Sequence, residues 1–165
     1  MEGDEMAKKS GGVVLIVLLL SVSLVAFPEE AEKENLSAGR NLGVGMQIGL
    51  PWGGLVSGRY WITPRIGLEG ILFAWGSTSD FAGTFTGRGL YRVTDTPTVD
   101  FYVASGASLP FSSYGEHELF LSVVGGIEFN FPFARSLAWN LEFGGSFSPG
   151  GELGMAFGTG IHFYF

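Results

Sequence analysis

The side chains here that could do chemistry are mostly arginines and carboxylates: Arg59, Arg65, Glu69, Arg88, Arg92, Asp100, Glu118, Glu128, Glu142 and Glu152. Neighbouring carboxylates can share or pass protons, and guanidinium groups set among them can make either an ion path or a neutralised core. The two histidines, His117 and His162, are too few for a histidine-rich metal site, and the acidic residues show no metal-ligand spacing. His117 follows Ser112 and Ser113, the residue types of a nucleophile and its base, so a lipid-modifying enzyme is one competing reading. Gly43-Val44-Gly45-Met46-Gln47-Ile48-Gly49 has the flavour of a dinucleotide fingerprint, but its third glycine is displaced by one and no helical pattern follows. There is no phosphate-loop motif, no HExxH and no cysteine. The expectation is a chain with no catalytic centre, no metal and no cofactor.

Composition narrows the elements that could position these charges. The 165 residues include 27 glycines, 15% are aromatic and 15% charged, and the net charge is -7. Lys33 is the only lysine beyond the first ten residues, which is foreign to a soluble helical bundle with its Lys and Glu surface. The acidic balance also argues against nucleic acid, because phosphate recognition needs a basic face.

Two segments precede the region of interest. Lys8 and Lys9 stand before an apolar run from Val13 to Val25, the pattern of a signal peptide, and the run is short for a spanning helix. Residues 1–27 are therefore expected to be a leader, whose true start is better placed at Met6 than after the acidic Glu2, Asp4 and Glu5. Ala26 and the pair Ser21 and Ser23 compete as the cleavage region, and a retained anchor is the alternative. Residues 28–40, PEEAEKENLSAGR, hold too few apolar groups to bury and read as a flexible tether.

From Leu42 onward, apolar residues recur at every second position, the period of a β-strand. In the last segment Leu153, Met155, Phe157, Thr159, Ile161, Phe163 and Phe165 alternate with Glu152, Gly154, Ala156, Gly158, Gly160, His162 and Tyr164. One face is bulky and apolar; the other is small or polar. A water-soluble barrel or sandwich would put the bulky face inside and leave a surface made largely of glycine, which packs and pairs poorly. Inverted, the pattern meets lipid with its bulky residues and fills a narrow lumen with small and polar ones. Eight strands follow, near 41–50, 55–62, 65–75, 81–93, 98–109, 117–131, 136–147 and 152–165, divided by turns rich in Pro, Gly, Ser and Asp. The predicted fold is all-β, a closed antiparallel up-and-down barrel occupying residues 41–165. The third segment breaks the alternation: Phe73 and Trp75 fall on the lumen face unless a bulge near Ile71 turns them outward. Trp52, Tyr60, Trp75, Tyr91, Phe133 and Trp139 lie near strand ends and are candidates for interfacial aromatic girdles.

With its terminal Gly160, Phe163 and Phe165, the chain resembles the small bacterial outer-membrane barrels of the outer membrane protein A superfamily, although Gly158 stands where that family's end signal has a polar residue. The resemblance implies export to the bacterial outer membrane, both termini on the periplasmic side and insertion by the barrel assembly machinery. It also implies external loops at 51–54, 76–80, 110–116 and 148–151. Outer-membrane lipid is then the expected partner.

Such a barrel puts its charges in the lumen, because Arg or Lys on the lipid face near the midplane costs about 2 to 4 kcal/mol. Folding the hairpins about their turns makes three register predictions. A turn centred between Thr78 and Ser79 sets Glu69 against Arg88; one centred at Thr96 sets Arg92 against Asp100; one centred at Arg135 sets Glu128 against Glu142. Two like charges need a cation, so Arg59, Arg65 or Arg88 is expected to reach across to them. The function this implies is a structural or interaction barrel with a filled polar lumen. The competing readings are a narrow solute channel, a lipid-modifying enzyme and a soluble lipid-binding barrel of opposite sidedness.

Overall fold

In a computed structural model, residues 41–77, 80–113 and 118–165 are described, and they form an all-β closed antiparallel barrel. Its strands are β1 (Leu42–Leu50), β2 (Val56–Trp61), β3 (Ile66–Gly76), β4 (Phe81–Thr94), β5 (Val99–Ser112), β6 (Phe120–Asn130), β7 (Leu137–Phe147) and β8 (Leu153–Tyr164). Each pairs with its sequence neighbour, and β1 closes on β8 from Gly43 against Tyr164 to Leu50 against Phe157. The expected leader and tether, and His117, lie outside the described residues.

Period two produces this shape directly. Along β8, Phe157, Ile161 and Phe163 face out while Ala156, His162 and Tyr164 are buried. On β7, Phe143 is 67% exposed and its neighbour Glu142 only 4%. The bulky face is therefore external and the small and ionic face internal, which overturns the soluble reading with a greasy interior.

Two register expectations are corrected. Glu69 does pair with Arg88, but Arg92 pairs with Tyr102, and the β4–β5 ladder shifts between Arg92 and Thr94. Side chains replace ladder bonds there: Phe101 N donates to Thr94 Oγ1 at 3.0 Å and Thr96 N to Asp100 Oδ1 at 2.9 Å. The β6–β7 turn centres on Ala134, so Glu128 faces Asn140 and Glu142 faces Gly126. That shift keeps every side chain on its face but separates the two carboxylates, removing a direct like-charge pair.

The bulge expected near Ile71 is also absent. The β3–β4 ladder runs unbroken from Ile66 against Tyr91 to Gly76 against Phe81, and Ile71 is fully buried in the lumen. Phe73 keeps its inward parity. So does Trp75, yet it is 78% exposed, because β2 stops pairing at Val56 against Leu72 and the β3–β4 hairpin runs on past it.

A narrow interior demands that large side chains face small ones. Gly126 sits opposite Tyr102, where an added Cβ would lie 2.3 Å from the phenol Cζ. Gly87 faces outward with nothing within 4 Å of such an atom. Gly126→Val should therefore lower stability by about 1 to 3 kcal/mol through overpacking, whereas Gly87→Ala should stay within about 0.5 kcal/mol of the parent. Equilibrium urea unfolding followed by tryptophan fluorescence measures both; equal losses would contradict this division of inside from outside.

Candidate functional site: the ionic lumen

Adjacent strands place the charges by parity. β2 brings Ser57, Arg59 and Trp61 inward, β3 Glu69, β4 Arg88 and Arg92, β5 Asp100 and Tyr102, β6 Glu128, β7 Glu142 and β8 His162 and Tyr164. All are buried. Arg88 is the hub: its Nη1 and Nη2 donate to the two oxygens of Glu142 at 2.7 and 2.8 Å, and its Nε donates to Glu69 Oε2 at 2.7 Å. A bidentate, charge-assisted contact of this kind fixes orientation as well as supplying energy. Arg59 donates to Glu128 and, through Nη2, to both oxygens of Glu69 at 3.3 Å.

Neutral donors complete the carboxylates. The Tyr102 hydroxyl donates to Glu142 Oε1 and Gln47 Nε2 to Glu142 Oε2 at 3.0 Å; the Tyr164 hydroxyl donates to Glu128 at 3.1 Å. Ser57 Oγ donates to Glu69 Oε1 at 2.7 Å. Three carboxylates are thus held by two guanidinium groups and a set of hydroxyl and amide donors. Buried charges survive only when paired and hydrogen-bonded in this manner.

Ser57, His162 and Glu69 bring together the residue types of a nucleophilic triad, but not its geometry. Both Ser57 Oγ at 2.9 Å and Glu69 Oε1 at 3.2 Å meet the same ring nitrogen, Nε2, and Nδ1 has no partner. A triad needs the serine on one nitrogen and the carboxylate on the other. Because Ser57 gives its proton to Glu69, Nε2 carries the hydrogen, and the ring acts as a donor that braces Glu69.

Tryptophan–arginine stacks bracket the ion cluster. The Arg88 guanidinium lies 4.8 Å from the Trp52 ring centroid, and that of Arg92 lies 3.9 Å from Trp61. Trp52 was expected in an external girdle and is instead fully buried, which is a correction. Its turn folds into the barrel, with Gly53 and Gly54 at φ 62° and 86° and Gly49 bridged to Gly53. Gly158 leaves the space for the indole: a Cβ there would sit 2.6 Å from its Cζ2. Trp61, Tyr102 and Tyr164 were not singled out as network members, although their parity with Arg59, Asp100 and His162 marks them as inward.

The remaining expected residues divide. Arg92 Nε lies 3.7 Å from Asp100 Oδ2, so these two meet despite their offset register. Arg65 is exposed in the β2–β3 turn and reaches no lumen carboxylate. Tyr60 faces out at 50% exposure, and Trp139 stacks on Phe129 at 5.3 Å while donating to Thr159 Oγ1 at 2.8 Å. Tyr91 also faces out, beside Ile66. Gly160 is buried against Gln47, and Phe163 and Phe165 face out, edge to face at 5.1 Å.

Together these features define an eight-stranded closed antiparallel barrel with an apolar exterior and an ion-paired interior. Comparison with protein-family models, curated proteins and solved structures found no match to the chain.

Arg88→Met would strip Glu142 of its bidentate partner, leaving it and Glu69 only Arg59 Nη2, at 3.9 and 3.3 Å, and should cost about 3 to 5 kcal/mol. Adding Glu142→Met should recover part of that loss. A double-mutant cycle by urea unfolding measures the coupling, and strict additivity of the two changes would contradict the pairing.

Proposed function

We propose that this chain is a non-catalytic outer-membrane β-barrel of the outer membrane protein A type, which spans the membrane with its strands and serves as a structural or interaction element of the envelope. The observation that carries this reading is sidedness. Met46, Ile48, Leu68, Leu72, Phe85, Leu141 and Phe157 are each between 43% and 53% exposed on the barrel exterior, while the charges lie inside. Such a surface is a poor match to water and a good one to hydrocarbon. Strands of 9 to 14 residues, with a shorter β2, suit a tilted crossing of the bilayer core.

On this reading the end that carries both the start of β1 and the end of β8 faces the periplasm. Tyr60, Tyr91, Phe129 and Trp139 form the aromatic belt at that end, and Gly160, Phe163 and Phe165 serve as the assembly signal. The lumen is a plug, since the Arg59 and Arg88 contacts cross it and indole rings lie on either side. Specific partners would then meet the short turns or the lipid-facing wall.

Cell fractionation and gel migration test the membrane assignment. The protein should remain with outer membranes after carbonate washing and should migrate differently before and after boiling in detergent; a monomer that stays soluble without detergent would sink it. For the lumen, planar-bilayer recordings should show no discrete conductance. Reproducible steps that change in a Glu128→Gln variant would replace the plug with the narrow channel.

A further inference from the structure

The charges of the central network do not balance. Among the described residues, Glu69, Glu128 and Glu142 stand against Arg59 and Arg88 alone, since Arg92 is matched by Asp100. His162 does not close the gap. Its Nε2–H braces Glu69, but a second proton on Nδ1 would meet no acceptor within hydrogen-bond distance, so the ring is neutral. A buried network short of one positive charge is costly, because a charge taken out of water needs a counter-charge as well as hydrogen bonds.

Acceptors without a donor gather at one place on the same wall. Gln47 on β1 and Asn140 on β7 flank Gly160 on β8 in one lateral row, and His162 is the next inward residue along β8. All three are fully buried, and Gln47 Oε1, Asn140 Oδ1 and His162 Nδ1 each have no hydrogen-bond partner. Gly160 makes room for them to converge: it has no side chain, and a Cβ there would run into the Gln47 oxygen. The Gln47 amide is fixed in this sense, because its Nε2 donates to Glu142 Oε2 at 3.0 Å. Asn140 Nδ2 is also without a partner, so that amide is free to turn its oxygen toward the site. Glu128 is the neighbour of Asn140 in the same row on β6.

Two independent observations therefore ask for one thing: lone pairs with nothing to accept, and a deficit of one positive charge. A water molecule answers only the first, since it brings hydrogens but no charge. A divalent ion overshoots the deficit, and among the described residues no three His, Cys, Asp or Glu side chains are grouped to hold one. Carbonyl oxygens are the usual ligands of hard cations. We propose that the lumen binds one small monovalent cation, Na+ or K+, between Gln47, Asn140 and His162. Two amide oxygens and the imidazole Nδ1 are its ligands, and it supplies the charge that Arg59 and Arg88 leave missing. The inference goes beyond the structural role argued above and does not rest on the membrane assignment, because the deficit belongs to the interior whatever medium bathes the outside.

Urea unfolding of the full chain, refolded in an uncharged maltoside detergent, tests it when N-methylglucamine chloride is replaced stepwise by NaCl or KCl at constant ionic strength. N-methylglucamine is too large for the site. The midpoint should rise with Na+, with K+ or with both, and above half-saturation a tenfold increase in that cation should raise the folding constant by about tenfold. Glu128→Gln removes the surplus charge and Asn140→Leu removes a ligand, so each should abolish the dependence, and either variant that folds is sufficient. Gly87→Ala, on the outer face, should keep it. A response to Na+ alone or to K+ alone names the occupant. Equal midpoints in all three salts overturn the site, as does a dependence that survives in either lumen variant. A midpoint that rises with falling pH by the same amount in every salt assigns the missing charge to a proton, and overturns it as well.

Discussion

Arg88 sits where the barrel can least tolerate an unpaired charge, and the contacts around it constrain almost everything else in the lumen. Its guanidinium joins Glu69 on the adjacent strand β3 to Glu142 on β7, so one side chain ties together strands from different parts of the barrel wall. Taking such groups from water is expensive, and the mutual attraction offsets that cost only when geometry and additional hydrogen bonds are good. Tyr102, Gln47, Ser57 and His162 are accordingly part of the same constraint: each gives a hydrogen to a carboxylate that the arginines alone leave undersatisfied.

Space is the second half of that constraint. An eight-stranded barrel has an interior only just wide enough for side chains, so a lumen containing arginine, tyrosine and tryptophan can close only if other inward positions are nearly empty. Gly126 beneath Tyr102 and Gly158 beneath Trp52 are such positions. These inward glycines are thus tied to the ionic core, and the exterior can be bulky because hydrocarbon, in the reading proposed above, makes no demand for hydrogen bonds.

The strand count, the antiparallel order and the sidedness were legible in the sequence because all three rest on period two, which a small register error does not disturb. The face of each charge was legible for the same reason. Finer placement was not. Whether Glu128 faces Glu142 or Asn140 depends on where a turn is centred, and Thr94, Thr96 and Asp100 reshape the β4–β5 turn with side-chain hydrogen bonds that alternation does not register. Trp52 shows the other blind spot. Its place between strands looks interfacial, and only the positive-φ pair Gly53 and Gly54, which folds the turn inward, sends the indole into the lumen.

That inward turn bears on how the core is kept dry. A carboxylate network open to water would be weakened, because ion pairs lose strength as the local dielectric rises. Trp52 covers Arg88 on one side and Trp61 lies against Arg92 on the other, each placing a flat apolar ring over a guanidinium face whose edges remain free for carboxylates. An aliphatic residue could exclude water there, but it would offer the cation nothing in return for lost hydration. An indole does both, which gives a physical reason for two of the chain's four tryptophans to be buried in a polar lumen rather than displayed on its apolar wall.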